Sequence, residues 1–336
     1  MRKLATIQII SDVQPIEGAD RIALASVLGW KVVIKKGEFN PGDSAVYCEV
    51  DSFLPVKPEF EFLRKSSYKK MSDGTEGFRL KTIKLRGVIS QGLLLPVSSL
   101  PGYPEVPQPG TDVTDILGIV KYEPPIPAQL AGEVKGPFPG FISKTDEERI
   151  QNLIDSLPNY KDSLFYVTEK VDGTSITIYL KDGQFGICSR NLELIENPGN
   201  TYWRIVRELD LENKLRKLGR NIALQGELIG EGIQKNIYKL HGQTIKFFDA
   251  FDIDKYEYFD FSSFIKIIGD FGLATVPVID NAFQLPETVD EILNLANGKS
   301  VLNPAANREG LVFRTTSGKR FSFKAISNNF LLSDEE

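Results

Sequence analysis

Residues 165–191 read FYVTEKVDGTSITIYLKDGQFGICSRN and contain an unexpected feature. Their β-branched, aromatic and alternating residues predict two strands joined by a tight turn at KDG, residues 181–183. The charged run EKVDG, residues 169–173, lies where the first strand should bury its side chains. Because alternate residues of a strand share a face, Lys170 and Asp172 should point the same way. Lys170 can be a functional residue of a site or merely a surface residue of a hairpin. These residues alone do not distinguish the two interpretations.

The chemistry of a lysine at this place needs partners from elsewhere in the chain. A lysine amine can be a nucleophile if its pKa is lowered by desolvation or a nearby cation. Attack on a phosphate group would also require Mg²⁺, basic side chains or both to neutralise the phosphate charge. Carboxylates hold such a metal directly or through its waters. Near strand ends, and beside or close to a glycine, the sequence offers Asp172, Glu227 and Glu309.

The composition excludes several classes of protein. With 40 basic and 45 acidic residues the net charge is -5, so non-specific coating of nucleic acid is disfavoured and a local basic groove would be needed. The two cysteines, Cys48 and Cys188, form no C-x-x-C pair, which argues against a zinc site or a disulfide scaffold. His241 is the single histidine, so a histidine-rich metal site is excluded.

Nothing in the sequence predicts a membrane segment. No apolar run approaches the roughly 20 residues of a membrane span. The start, MRKLATIQII, lacks the long apolar region of a signal peptide. We expect a soluble, cytoplasmic protein that works as a monomer and has no membrane partner.

Residues 1–120 are predicted to be an all-β, nucleic-acid-binding domain. Short alternating runs such as LATIQII and SAVYCEV are separated by turn sequences such as NPGD and SDGTEG. About 100 residues with this pattern favour a small barrel of the OB type. A basic face for nucleic acid, or merely a solvated outer surface, is indicated by Lys31, Lys35, Lys36, Lys81, Lys84 and Arg86.

The rest of the chain is predicted to be a linker and an α+β domain. Residues 121–142 contain five prolines and three glycines, which block helices and strands alike. In residues 143–336, Thr145 and Glu148 match a capping box that predicts a helix. Antiparallel sheets should be flanked by further helices at residues 200–219, 261–271 and 287–297. A hairpin at residues 309–327 should close the domain.

Six motifs in order add a resemblance to these observations. The motifs are EKVDG (169–173), SRN (189–191), GEL (226–228), FFDAFD (247–252), REGLVFR (308–314) and FSFKAIS (321–327). Together they resemble the motifs of the covalent nucleotidyltransferases, which comprise the ATP-dependent ligases and the mRNA capping enzymes. TDEERIQN (145–152) and the all-β domain at the N-terminal side are similar to the RNA ligases that have an N-terminal OB-fold domain. The resemblance makes residues 143–336 the nucleotidyltransferase (ligase) domain.

The resemblance implies roles in nucleotide chemistry for four basic residues. Lys170 would attack the α-phosphate of ATP, release pyrophosphate and hold AMP. Lys324 would contact the α-phosphate, and Arg149 the outer phosphates. Arg190 would contact the nucleotide and later the 5′-phosphate of the RNA.

The resemblance also implies metal and base contacts. Asp172 and Glu309 would hold Mg²⁺, or Mn²⁺, through its waters. Glu227 would bind the ribose or the metal. Phe251 would stack on adenine; alternation puts Phe247 on the same strand face, and a core role for either phenylalanine is the alternative.

One position departs from the family pattern. The last motif of the family usually has two lysines separated by one residue, and here Ser322 stands at the earlier position while Lys324 matches. Arg320 lies two residues before Ser322, on the same strand face, and could supply the missing charge.

The predicted function is that of an ATP-dependent RNA ligase. It would join RNA 3′-hydroxyl and 5′-phosphate ends, such as those of a nicked duplex, through a lysyl-AMP intermediate, in RNA repair. An mRNA-capping guanylyltransferase is the first alternative, although its OB domain normally follows the catalytic domain; an ATP-dependent DNA ligase is disfavoured for the same reason. A non-catalytic RNA-binding protein with a degenerate ligase domain is the alternative from another class.

Overall fold

The computed structural model describes four stretches of the chain: residues 2–71, 73–102, 107–123 and 128–333. The chain divides into two compact units, with residues 1–125, 151–155 and 332–336 in the first and residues 126–150 and 156–331 in the second. The division after residue 125 falls inside the predicted linker, residues 121–142. No described helix combines the length and the apolar character that crossing a membrane requires.

The regular structure of the first unit consists mainly of strands. They are β1 (Ala5–Pro15), β2 (Ile22–Val27), β3 (Trp30–Lys35), β4 (Ser44–Cys48), β5 (Ser52–Pro55), β6 (Tyr68–Lys70), β7 (Glu76–Arg79), β8 (Thr82–Leu85), β9 (Val88–Gln91), β10 (Leu93–Pro96) and β11 (Val120–Lys121). Short helices are α1 (Arg64–Ser67), α2 (Thr114–Leu117) and the 3-10 turns Pro58–Leu63 and Val97–Ser99. The sheets have the orders β10-β4-β1-β2-β3, β11-β5-β7-β6 and β8-β9.

Strand β1 explains how this unit curls. Its first half pairs with β4 and its second half with β2, and the pairing register shifts between Ile10 and Asp12. Such a bulge bends a strand and increases its twist. One hydrophobic core surrounds Ile7 and Phe78, and another surrounds Ile10 and Trp30. The curled, all-β structure agrees with the predicted barrel.

The predicted basic strands lie side by side in this unit. Hairpin β8–β9 packs beside β3, where the Val33 N–H donates to Ser90 Oγ at 2.9 Å. Lys35, Lys84 and Arg86 are exposed on these elements. The first unit therefore carries its basic residues on adjacent strands, as a nucleic-acid face requires.

The second unit is α+β. Its strands are β12 (Val134–Pro137), β13 (Leu164–Lys170), β14 (Thr174–Lys181), β15 (Gln184–Cys188), β16 (Leu192–Leu194), β17 (Ile222–Gly230), β18 (Gln243–Asp252), β19 (Glu257–Tyr258), β20 (Val278–Gln284), β21 (Gly310–Thr315) and β22 (Ser322–Ile326). The remaining helices of the chain are α3 (Ala128–Ala131), α4 (Thr201–Glu208), α5 (Leu211–Leu218), α6 (Phe261–Asp270), α7 (Val289–Ala296), α8 (Asn328–Ser333) and the 3-10 turns Ile150–Leu153 and Leu157–Tyr160. A seven-stranded sheet has the order β12-β16-β15-β14-β17-β18-β19, and a four-stranded sheet the order β20-β13-β21-β22.

The charged run at residues 169–173 marks a change of sheet. Strand β13 ends at Lys170 in the four-stranded sheet, and β14 begins at Thr174 in the seven-stranded sheet. A Cβ atom on Gly173 would lie 2.5 Å from the Leu228 carbonyl oxygen, so only glycine fits this close crossing. The chain therefore crosses between two sheets at this point, a change that the pattern of residues 165–191 did not predict.

Several other local predictions are confirmed. The KDG turn joins β14 to β15, and Asp182 and Gly183 have positive φ angles of 50° and 76°. Helix α7 begins with a capping box between Thr288 and Glu291. The predicted helix at 200–219 is present as two helices, α4 and α5, which are separated at Asp210, where φ is 52°.

Two predictions near the linker are wrong. The capping-box pattern at Thr145 starts no α-helix, because the Lys324 N–H donates to the Glu148 carbonyl at 2.8 Å and this segment runs beside β22. Residues 134–137 of the predicted linker form β12, which pairs with β16 at the sheet edge. Both differences arise from pairing with distant strands, which local sequence cannot show.

Candidate active site

Lys170 lies at the end of β13 and is held by an acidic side chain. Its Nζ is 2.6 Å from both carboxylate oxygens of Glu309. Glu309 comes directly before β21, whose Gly310 is paired with Lys170. The two side chains are 28% and 17% exposed, so solvent, and hence a substrate, can reach this pair.

Two more carboxylates belong to the same site. Glu227 lies on β17, the neighbour of β14 in the seven-stranded sheet. Burial raises the pKa of Glu227 to about 8, and the charges of Glu309 and Asp172 add to this while Lys170 opposes it. The predicted residues Lys170, Asp172, Glu227 and Glu309 therefore form one electrostatic group, which we call the lysine cluster.

The lysine cluster keeps its amine protonated. Burial alone lowers the pKa of Lys170, but the charges of Glu309, Glu227 and Asp172 outweigh burial and the pKa is raised. The charges of three carboxylates near one ammonium group therefore oppose the lowering of the pKa that a nucleophilic lysine needs. An activating step has to remove that influence before the amine can attack.

The donor set of the lysine cluster fits a divalent cation. With all four groups ionised, three carboxylates and one ammonium carry a surplus of negative charge. Within the described residues, no group of three or more His, Cys, Asp or Glu side chains is already arranged around a metal position. Oxygen donors of this charge, too far apart for direct coordination, suit a cation that keeps part of its water shell.

The four-stranded sheet brings the two predicted lysines to one face. Thr168 is paired with Val312, and Val312 with Lys324, while Lys170 is paired with Gly310. Directly paired residues of a sheet share a face, and so do alternate residues of a strand. Lys324 therefore points to the same side of the sheet as Lys170.

The two predicted arginines flank this face. The backbone at Arg149 forms a bridge with Lys324, and the Arg149 side chain is 5% exposed. Arg190 is half exposed, and its Nη2 lies 2.6 Å from Asp146 Oδ1. The positive charge of Arg190 also lowers the pKa of Glu227, which places Arg190 within electrostatic reach of the lysine cluster.

The predicted base contact needs a correction. Phe251 is 1% exposed and packs among Ile142, Tyr179 and other core residues, so it has no open face for adenine. Phe247 is fully buried in a different core, which also includes residues of α4, α5 and α6. The two phenylalanines therefore do not share a strand face.

Phe248 is the aromatic residue that the sequence interpretation missed. The register between β17 and β18 shifts by one residue at Phe248, because Gly226 pairs with Phe247 and Gln225 with Asp249. Phe248 lies on the face opposite Phe247, as alternation requires, and is half-buried against an apolar cluster that contains Val171. The bulge reverses the alternation after Phe248 and so takes Phe251 off the face of Phe247. A bulge leaves no signal in the sequence pattern, so the alternation in FFDAFD could not show where the register between β17 and β18 shifts.

A second charged cluster lies nearby in the same unit. Arg320 donates to Asp249 at 2.5 Å and its guanidinium lies 3.8 Å from the ring centre of Tyr258. Arg314 Nε lies 3.3 Å from Asp249 Oδ2 and 3.4 Å from Glu147 Oε1. We call Glu147, Asp249, Arg314 and Arg320 the arginine cluster.

The arginine cluster bears on the missing lysine. Ser322 Oγ donates to Glu147 at 2.6 Å, so this position joins the arginine cluster. Arg320 is committed to Asp249 and Tyr258. The structure therefore does not support Arg320 as a replacement for the absent lysine.

Comparison with known proteins agrees with this architecture. A family model described as an OB-fold domain matches residues 4–97, and one described as RNA ligase matches residues 163–326. No curated protein matches the chain. Among solved structures, the RNA ligase of Naegleria gruberi with PPi is 47% identical, with 98% of each chain covered and a TM-score of 0.93.

Two further structures of the Naegleria gruberi RNA ligase are similar over the full chain. A point mutant with ATP and Mn is 45% identical and a point mutant with AMP and Mn is 46% identical. Each alignment covers 100% of this chain and 99% of the other, with a TM-score of 0.93. The chain therefore belongs to the RNA ligase family. The predicted OB fold, the α+β second domain and the RNA ligase function are confirmed.

Proposed function

We propose that this RNA ligase uses ATP to join a 3′-hydroxyl to a 5′-phosphate end of RNA, through AMP bound covalently to Lys170. The observation that carries the proposal is the position of Lys170 Nζ, at 2.6 Å from both oxygens of Glu309 and among two further carboxylates. The Naegleria gruberi structures with ATP and Mn, AMP and Mn, and PPi support the choice of nucleotide.

The lysine cluster is also the proposed metal site. Asp172, Glu227 and Glu309 would hold Mg²⁺ or Mn²⁺, in part through water, and the metal would supply neutralisation of phosphate charge. A divalent cation held by these carboxylates would offset the charges that raise the pKa of Lys170. Burial of Lys170 would then favour the neutral amine.

The first step of the reaction consumes ATP. The Lys170 ammonium first releases a proton to solvent, and its Nζ then attacks the α-phosphorus. An N–P bond forms, the bond from that phosphorus to the bridging oxygen breaks, pyrophosphate leaves, and Nζ releases a second proton to solvent. Lys324 shares a sheet face with Lys170 and would contact the α-phosphate. Arg149 would contact the outer phosphates, and half-buried Phe248 would stack on adenine in place of Phe251.

The next two steps act on RNA. AMP passes from Lys170 to the 5′-phosphate, where Arg190 would assist, and the 3′-hydroxyl then displaces AMP to close the strand. Basic residues of the first unit, among them Lys35, Lys84 and Arg86, would dock the RNA backbone. We further propose a monomeric enzyme of the cytoplasm that acts in RNA repair; two buried free cysteines suit a reducing compartment.

The test combines nucleotide labelling with RNA sealing. Purified chain is incubated with ATP or GTP labelled at the α-phosphorus and analysed on a denaturing gel, with Lys170→Ala as the matched control. We expect label from ATP alone, absent in the control, and sealing of RNA with 3′-hydroxyl and 5′-phosphate ends. Label from GTP alone would indicate a capping-type guanylyltransferase. RNA binding without any label would indicate a degenerate ligase domain.

A further inference from the structure

One loop holds the turn that follows Lys170. The loop comprises residues 231–242, between β17 and β18. The hydroxyl oxygen of Tyr238 accepts a hydrogen bond from the Asp172 N–H at 2.6 Å. The Gln234 Nε2 donates to the Gly173 carbonyl at 3.1 Å. Two neighbouring residues of the sheet-to-sheet crossing are therefore attached to the same loop.

The loop has a specific conformation that its own side chains stabilise. Gln234, Asn236 and Lys239 have φ angles of 46°, 43° and 53°, a backbone region that residues other than glycine rarely adopt. Asn236 closes the loop, because its Nδ2 donates to the Leu240 carbonyl at 3.0 Å and its Oδ1 accepts from the Leu240 N–H at 3.2 Å. Backbone strain of this kind persists where surrounding contacts determine the structure, often at functional sites.

Tyr238 connects the loop to the lysine cluster. Its side chain is 4% exposed and packs in an apolar cluster with Val171, the residue between Lys170 and Asp172. Burial raises the pKa of the Tyr238 phenol, and the charges of Asp172 and Glu309 add to this, so the hydroxyl is neutral at physiological pH. Its oxygen therefore lies within electrostatic reach of two of the carboxylates that would hold the metal.

We propose that Tyr238, supported by Gln234, is a positioning residue that fixes the Asp172 backbone so that its carboxylate is directed toward the metal site. The proposal rests on the proposed function of the lysine cluster. Tyr238 touches neither nucleotide nor metal in this account and acts through Asp172. Without the hydroxyl, the Asp172 N–H loses its hydrogen bond to Tyr238, and the turn loses that attachment to the loop.

The test is Tyr238→Phe in the full chain. Self-adenylylation is measured against the concentration of Mg²⁺, and separately of Mn²⁺, at saturating ATP. We expect the metal concentration for half-maximal rate to rise about 10-fold, as for other residues that orient metal ligands, while the maximal rate changes less. The matched control is Tyr179→Phe, since Tyr179 is also 4% exposed but its hydroxyl donates to Glu193. The control should keep the metal dependence of the wild type.

A second variant keeps the proposal testable if Tyr238→Phe is too unstable to assay. Gln234 is exposed, and Gln234→Asn tolerates the positive φ while its shorter side chain cannot reach Gly173. We expect a shift in the same direction of about threefold. Unshifted metal dependence in both variants, with a wild type that takes label, would overturn the positioning role alone. A wild type that takes no label would overturn the proposed function and this inference with it.

Discussion

The lysine cluster and the arginine cluster are both charged groups of the second unit, but they differ in charge balance and in exposure. The arginine cluster contains two arginines and two carboxylates, and its Asp249 and Arg314 side chains are each 3% exposed. The lysine cluster has three carboxylates around one ammonium, and its Lys170 is 28% exposed. A balanced and closed group can hold strands together, whereas an open group with surplus negative charge is poised for a cation and a substrate.

The same difference explains the fate of the two basic candidates in the last motif. Lys324 lies on the sheet face of Lys170, so it can serve the reaction. Arg320 lies four residues before Lys324, where its guanidinium contacts Asp249 and Tyr258. The roles of Lys324 and Arg320 are therefore decided by what each side chain meets in the fold, and not by their closeness in the sequence.

The largest effect should come from the nucleophile. Lys170→Ala and Lys170→Arg should both abolish labelling by ATP, because arginine keeps the charge but stays protonated. Gel analysis after incubation with [α-³²P]ATP measures this. Covalent AMP on either variant would show that Lys170 is not the nucleophile, and that the lysine cluster is not the reactive one of the two.

The next effect concerns the surplus carboxylates. Asp172→Ala and Glu309→Ala should each slow self-adenylylation by at least ~10²-fold, a loss of about 2.7 kcal/mol of transition-state stabilisation. Rates are measured in single turnover across a range of Mg²⁺ concentrations. Wild-type rates at low Mg²⁺ in both variants would show that these carboxylates are structural.

The arginine cluster should respond in stability instead. Asp249→Ala takes a carboxylate partner from buried Arg314 and half-buried Arg320, and should lower the free energy of unfolding by about 3 kcal/mol. Denaturant unfolding measures the loss, and labelling at low temperature shows whether the folded fraction still reacts. A variant that is as stable as the wild type, yet inactive, would reverse the roles that we assign to the two clusters.

The smallest predicted effect depends on pH. In the metal-free fold the pKa of Glu227 is about 8, against an ordinary value of 4.5, so the folded form keeps a proton that the unfolded form has lost. Stability from this group is therefore complete below the ordinary pKa and is lost as the pH rises toward 8. Glu227→Gln cannot ionise, so its stability should not fall across that window and it should gain progressively on the wild type as the pH rises.

Urea unfolding with a chelator at the two ends of the window gives the comparison for Glu227→Gln. A stability difference that does not change with pH would mean that Glu227 ionises at its ordinary pKa, and that burial and the neighbouring carboxylates do not act on it as we infer.

The sequence predicted those parts of the molecule that rest on local patterns. The KDG turn, helix α7 and the family motifs all follow from residues close together in the chain. It could not predict the change of sheet after Lys170, because that depends on the contact of Gly173 with Leu228. The bulge at Phe248 and the pairing of Arg320 with Asp249, 71 residues away, likewise depend on tertiary structure.

Peptide mapping by mass spectrometry after incubation with ATP and Mg²⁺ tests the central claim most directly. We predict the added mass of one AMP, linked to the side chain of Lys170, and its loss when a 5′-phosphorylated RNA with an adjacent 3′-hydroxyl is added. AMP on any other residue, or RNA sealing by a chain that never carries AMP, would contradict the assignment of the lysine cluster as the reaction centre.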